Sequence, residues 1–411
     1  MEIRPILSAM LRNKTGPLLV ALQVALSLAI LANALYIVHE RRAAMARPSG
    51  LADEHAVFSI GVRELHDASP QQQLATMQRQ VEALRAVPGV AAVSNVSQMP
   101  LSRSGSSSGL STDRRQVRES ASGSMYMSGD SLVKGFGLAV VEGRDFLPDE
   151  FVDIDVTTAR TLPRPLIITR ALADKLYPGV SAIGKPVYFG NGDNAQETRV
   201  VGVVAALQSA HAQVGPEGEY SVIVPARLHG GATSAIFAVR AEPGQRDRVM
   251  KEAEAALRTS SAGPLVLRVR TFDGDRQDRY RADVALQWML VAVSVLLLLV
   301  TCGGIVGMAS LWVTQRRKQI GVRRALGARR VDILRYFITE NLIITSAGVA
   351  GGVVLGLGLN ALLASQLAMA RLPAGYLAGG ALLLWLLGVL AVWGPAWRAA
   401  GIPPATATRS I

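Results

Sequence analysis

Four stretches of the chain are uncharged or nearly so for long enough to cross a bilayer, and a polar region of roughly 240 residues separates the first from the second. The first, Pro17 to Val38, holds 22 residues without a charge behind Arg4, Arg12 and Lys14. At about 1.5 Å per residue it covers a hydrocarbon core of about 30 Å. A cleaved signal peptide is the competing reading, with Ala44 and Ala46 as a weak cleavage site. The run exceeds the usual h-region of about 7–15 residues, so a retained anchor is expected. The second stretch, 284–313, is longer than a bilayer needs, which predicts a helix that tilts or protrudes. The third, 338–364, carries Gly348, Gly352 and Gly356 at every fourth position. That spacing stacks them on one helix face, where another helix can approach closely. The fourth, 376–397, follows a short turn with Arg371 and Pro373.

Inside the polar region the period changes. AVFSIGV (56–62) predicts a strand, QQQLATMQRQVEALRAV a helix with Leu74, Met77, Val81 and Leu84 on one face, and VAAVSNV a second strand. The same order recurs at 235–270, as AIFAVR, QRDRVMKEAEAALR and PLVLRVR. Two β-α-β units this far apart predict a split α+β subdomain, ferredoxin-like in character, from 50–100 and 232–275. The insert, 101–231, reads as a β-rich subdomain with strands or a short helix in GLAVVEGRDF, PLIITRALADKLYPG and TRVVGVVAAL. SRSGSSSG (102–109) reads as a solvated flexible loop.

Charge then fixes the expected topology. Between the second and third apolar stretches, Arg316, Arg317, Lys318, Arg323, Arg324, Arg329, Arg330 and Arg335 face a single interior acid, Asp332. Lys/Arg-rich short loops are retained on the cytoplasmic side, which predicts four spans with both termini inside and the polar region outside. Ile320, Val322, Ala325 and Leu326 punctuate these charges, and Val331, Leu334, Ile338, Ile333 and Phe337 follow. Two readings fit: an orientation signal with headgroup-binding arginines, or a structured element that docks on a partner. Glu340 at the mouth of the third span either sits at headgroup level or, if buried, needs a partner such as a loop arginine.

Composition agrees with a membrane protein. Half of the 411 residues are hydrophobic, yet the net charge is +12. Aromatic content of 5% and the absence of any nucleic-acid-binding signature argue against nucleic acid and for anionic lipid as the counterion. Cys302 is the sole cysteine, so no disulfide within the chain supports the outer domain. Gly179 to Pro186 approaches the phosphate-loop pattern G-x-x-x-x-G-K-[ST], but Pro186 replaces the hydroxyl residue and resists a following helix. His39, His55, His66, His211 and His229 show no metal-ligand spacing. No paired-carboxylate or Ser/His/Asp pattern stands out. The chemistry expected of the chain itself is therefore non-catalytic, with no cofactor or metal.

IGVRRALGARRVDILRYFITE at 320–340 resembles the cytoplasmic segment of MacB/FtsX-type ABC transporter permeases, usually written around E-I-G-x-x-R-A-L-G-A with a glutamate near the third span. PAWRAAGIPPATATR resembles that family's P-A-x-R-A-A-x-x-x-P ending, and GFGLAVVEGRDF with ALADKLYPGVSAIGKPV through RVVGVV resembles its periplasmic core domain. Gln319 stands where the family usually has an acid. The resemblance implies four transmembrane α-helices, one N-terminal and three C-terminal, with a large α+β periplasmic domain inserted between the first and second. The expected division is 1–39 for the cytoplasmic N-terminus and first helix, 40–283 for the periplasmic core, 284–313 for helix two, 314–337 for a coupling segment, 338–364 and 376–397 for helices three and four, and 398–411 for a cytoplasmic tail. It also implies a bacterial inner-membrane export subunit that works by mechanotransmission. A separate ATPase would bind ATP-Mg, the permease would pair as a homodimer or heterodimer, and a periplasmic adaptor could join. Contact with the ATPase would fall on Arg316, Arg317, Ile320, Gly321, Arg323, Arg324, Ala325, Leu326, Gly327, Ala328, Val331 and Leu334. Two alternatives stand beside export: a non-transporting regulator of a periplasmic cell-wall hydrolase, and a tethered enzyme, which leaves three spans without a purpose.

Overall fold

The computed structural model describes residues 14–401 except 159–160, 191, 232–233, 262 and 368–370. Arg4, Arg12 and the tail beyond Gly401, Arg409 included, lie outside the described residues. The chain divides into two compact units, Arg42–Ala282 and Met1–Arg41 with Asp283–Ile411.

The first helix, α1, covers Thr15–Ala46. Within Arg42–Ala282, β1 (Val57–Glu64), α2 (Pro70–Arg85) and β2 (Val90–Val96) follow. Ser69 caps α2 through Gln72 in a capping box, and Pro70 opens its first turn. β3 (Ser107–Ser111), β4 (Ala121–Met127), α3 (Leu132–Phe136), β5 (Val140–Gly143), β6 (Val152–Asp155), β7 (Pro165–Thr169), α4 (Arg170–Leu176), β8 (Pro186–Phe189), β9 (Gln196–Val204), β10 (Ser221–Val224) and β11 (Ala226–His229) come next. β12 (Ser234–Ala241), α5 (Arg246–Ser260) and β13 (Leu265–Thr271) complete the region.

β1 and β12 lie at the centre of a four-stranded antiparallel sheet of order β13-β1-β12-β2. The two βαβ units thus interlock, because β12 sits between β1 and β2. α2 and α5 share a core with that sheet, burying Val81, Leu84, Val249, Ala253 and Leu257 against Phe58, Ile60, Phe237 and Val239. Burying side chains of this size is worth about 1.5–3 kcal/mol each, which makes this seam the main support of the sheet.

The second sheet is mixed, in the order β5-β9-β7-β10-β4-β3-β8. Here the structure corrects the sequence. The serine-rich segment is not a flexible loop throughout, since Ser107, Ser108 and Gly109 pair with Ser124, Gly123 and Ser122. Their backbones complete a ladder that the fully buried Leu110 anchors, so tertiary pairing overrides weak strand propensity. The near-miss phosphate loop is a pair of turns with Gly179 and Gly184 at φ +75° and +74°, and it leads into β8 rather than a helix.

Two carboxylates in this region accept charge-assisted bonds. Arg144 grips Glu150 with two contacts of 2.7 Å, and Arg170 and Ser181 bond Glu142 at 2.6 and 2.9 Å. These bonds hold both carboxyls below the usual glutamate range. A depressed folded-state pKa gives stability that is complete above the unfolded value and is lost as pH falls through the folded one. The melting temperature of the full chain is therefore expected to drop below about pH 4. Arg144→Gln with Arg170→Gln should flatten that drop, as thermal unfolding across pH would record.

α6, Phe272–Gln315, starts twelve residues before the apolar run at Val284. Its first turns belong to the core of Arg42–Ala282: Phe272 is fully buried there, and Arg276 binds Glu54 at 2.7 Å. α7 (Arg317–Ala325), α8 (Arg330–Leu367) and α9 (Ala374–Ala400) end the described chain. α1, α6, α8 and α9 are each long and apolar enough to cross a membrane. One N-terminal and three C-terminal apolar helices thus flank an α+β domain, the fold class expected from the sequence.

In the helical unit, α8 packs on α1 through its glycines. A Cβ at Gly348 would lie 2.7 Å from the Ala21 carbonyl oxygen, and one at Gly352 would lie 2.9 Å from that of Ala25. At Gly356 it would meet Leu377 at 3.1 Å and Ala29 at 3.5 Å. Polar side chains add interhelical bonds: Ser27 to Thr301 at 2.8 Å, and Asn33 Nδ2 to the Gly356 carbonyl at 3.1 Å.

Candidate functional site

The basic segment is folded rather than slack. α7 closes with a Schellman motif, in which the Ala328 N–H donates to the Arg323 carbonyl and the Gly327 N–H to that of Arg324. Gly327 supplies the φ of +96° that this ending requires and a side chain would resist. The Arg329 N–H then donates to Asp332 at 3.0 Å, so the one interior acid caps the start of α8.

The side chains divide into two sets. Ile320 is buried in one cluster with Ile333, Phe337, Ala396 and Ala399, and Leu334 packs on it. Gly321 is buried beside it. Arg324 donates to the Ala400 carbonyl at 2.8 Å, which ties α7 to the carbonyl-rich end of α9. Arg316 reaches the buried Glu340 at 2.9 Å and the Tyr336 hydroxyl at 3.2 Å. Arg316 and Arg323 also lie 5.9 and 5.3 Å from the Tyr336 ring centre. Ile320, Leu334, Arg316 and Arg324 hold the segment in place.

The outward set differs in kind. Leu326 is 82% exposed, and Val322 and Val331 are each more than half exposed. Arg317, Arg323, Ala325, Gly327, Arg329, Arg330 and Arg335 are exposed with them, and Ala328 is half-buried. The result is an apolar patch among guanidinium groups on a helix whose opposite face is anchored. Such a surface fits a partner groove with an apolar floor and acidic walls.

Of the residues singled out from sequence, Ile320, Gly321, Leu334, Arg316 and Arg324 therefore face inward or brace the segment, while Arg317, Arg323, Ala325, Leu326, Gly327 and Val331 face out. Glu340 is 1% exposed and has the loop arginine partner, Arg316, that a buried acid needs. Sequence reasoning passed over Tyr336, whose signal is its place four residues before Glu340 on one face of α8. The exposed Gln319 makes no contact that a carboxylate would be needed to make in this arrangement.

Comparison with known proteins places this geometry. Residues 291–404 match the FtsX-like permease C-terminal family, a range that encloses the whole basic segment. The pyoverdine export ATP-binding/permease protein PvdT of Pseudomonas syringae pv. syringae is 38% identical over 136 residues, covering 33% of this chain and 20% of PvdT. The macrolide export ATP-binding/permease protein MacB 2 of Yersinia pestis bv. Antiqua is 26% identical over 299 residues, covering 71% of this chain and 42% of that one. The chain thus spans less than half the length of these relatives. Among solved structures, the extracellular domain of the transporter YknZ from Gram-positive bacteria aligns over 51% of this chain and 98% of its own, with TM-score 0.32 and 20% identity. The periplasmic region of MacB from Actinobacillus actinomycetemcomitans covers 56% and 94%, with TM-score 0.32 and 12% identity. The chain carries an FtsX-like permease domain and is a homologue of the MacB-type permeases.

Proposed function

We propose that this chain is the non-catalytic membrane subunit of an ABC exporter, and that Val322, Leu326 and Val331 with their surrounding arginines dock on the ABC ATPase that drives it. The observation that carries this reading is the exposure of an apolar residue, Leu326, in the most basic loop of an FtsX-like permease domain. PvdT and MacB are each named as a single ATP-binding/permease protein for export, which favours export over regulation of a hydrolase.

The positive-inside rule puts the basic loop and both termini in the cytoplasm of a bacterium and residues 42–282 in the periplasm. ATP and magnesium bind the ATPase, not this chain. Closure of the ATPases would push on α7, and Ile320, Arg316 and Arg324 would pass the displacement to α8 and α9. Mechanotransmission to the periplasmic domain would use α6, whose 44 residues exceed what a bilayer needs and whose first turns lie in that domain's core. Two permease copies and a periplasmic adaptor complete the proposed assembly. Export or extrusion of a peptide, drug, toxin or lipid-linked molecule is the substrate class this reading covers.

Co-purification in nanodiscs with a candidate ABC ATPase tests the proposal. A stoichiometric complex whose ATP hydrolysis rate depends on the permease is expected. Failure of every ABC ATPase of the host to bind would return the basic loop to the role of an orientation signal.

A further inference from the structure

α6 and α9 leave an apolar groove of about 650 Å³ between them, open to the surroundings of the helical unit. Cys302 and Val306 form one wall, and Leu383, Leu386 and Leu390 form the other. Gly394 opens the floor, because a Cβ there would meet nothing within 4 Å. Arg398 stands at one end and is the one charged residue lining the groove. Its exposed guanidinium pairs with no carboxylate among the described residues.

The charge sits at a meaningful depth. Trp393 and Trp397 stack with ring centres 6.5 Å apart and are 48% and 59% exposed, the placement of interfacial aromatic residues. Arg398 therefore lies at headgroup level. From there to Leu383 α9 rises about 22 Å at about 1.5 Å per residue, enough to cover one leaflet of a core about 30 Å thick. A helix of a second copy would fill the apolar walls, whereas an anionic lipid also supplies the negative charge that faces Arg398 at headgroup level.

We propose that this groove is a binding site for one anionic phospholipid, with an acyl chain along Leu383, Leu386 and Leu390 and its phosphate on Arg398. The site concerns the membrane-embedded helices alone and stands whether or not the chain docks on an ATPase.

The test is native mass spectrometry of the delipidated full-length protein titrated with phosphatidylglycerol or phosphatidylcholine. Wild type should bind phosphatidylglycerol about fivefold more tightly, the scale of one arginine at an anionic surface. Arg398→Gln should erase the preference while leaving phosphatidylcholine binding unchanged. Gly394→Leu, whose Cβ would meet nothing within 4 Å, should weaken both lipids. Arg118→Gln, an exposed arginine of Arg42–Ala282 with no assigned role, should keep the wild-type preference. Equal binding of the two lipids by wild type, or a preference unaltered in Arg398→Gln, overturns the proposal. So would efficient Leu390→Cys crosslinking between two copies in native membranes, which would assign the groove to a protein interface.

Discussion

Arg316→Met is expected to cost the protein about 3–5 kcal/mol, because it leaves the Glu340 carboxylate buried beside α7 without its cation. Arg316 is only partly covered, so the loss comes mainly from the acid, which is 1% exposed. Glu340→Gln keeps a hydrogen-bond acceptor for Arg316 and should cost less than half as much. The paired change Arg316→Met with Glu340→Leu removes both charges and should recover most of the stability. Thermal unfolding in nanodiscs over this cycle measures the coupling directly. Equal losses for Arg316→Met and for the double variant would mean that the pair does not hold α7 against α8.

Gly352→Leu should be comparably severe. Its Cβ would fall 2.9 Å from both the Ala25 carbonyl oxygen and Leu28 Cβ, and neither can yield without moving α1. Overpacking of a rigid contact costs about 1–3 kcal/mol, and a leucine in place of glycine at a backbone-to-backbone contact belongs at or above the upper end. Gly358 is the internal control, because a Cβ there meets nothing within 4 Å. Gly358→Leu in the same helix is expected to leave the melting temperature nearly unchanged. If the two leucines behave alike, the α1–α8 contact is not the close one described.

Much of this architecture can be read from residue order, and the exceptions have physical causes. Apolar runs locate four helices but miss the start of α6, because FDGDRQDRYRAD is polar and its helical turns lie in the core of Arg42–Ala282 rather than among apolar helices. The two βαβ patterns, with Gly/Pro breaks between helix and strand, are visible as periodicity. β3 and β4 are not, since SSGLS and ASGSMYM contain no β-branched residue and become strands only by pairing with each other and with β8 and β10. At the candidate site the sequence marks the basic segment as a whole. It cannot say that Arg316 turns in to Glu340, 24 positions away, while Leu326 turns out. That division depends on where the Gly327 turn aims α7 relative to α8. Only Asp332, three residues beyond Arg329, announces its capping role in advance.

The central claim is that the outward face of α7 and the turn after it is a docking surface. The affinity of the cognate ABC ATPase for the permease in nanodiscs, wild type against Leu326→Asp, tests it most directly. Leu326 is too exposed for its loss to unfold the protein, so an unchanged melting temperature is expected alongside the binding data. A hot-spot contact of about 2 kcal/mol predicts binding weaker by about thirtyfold in Leu326→Asp. Equal affinity of the two proteins for the ATPase would contradict the account.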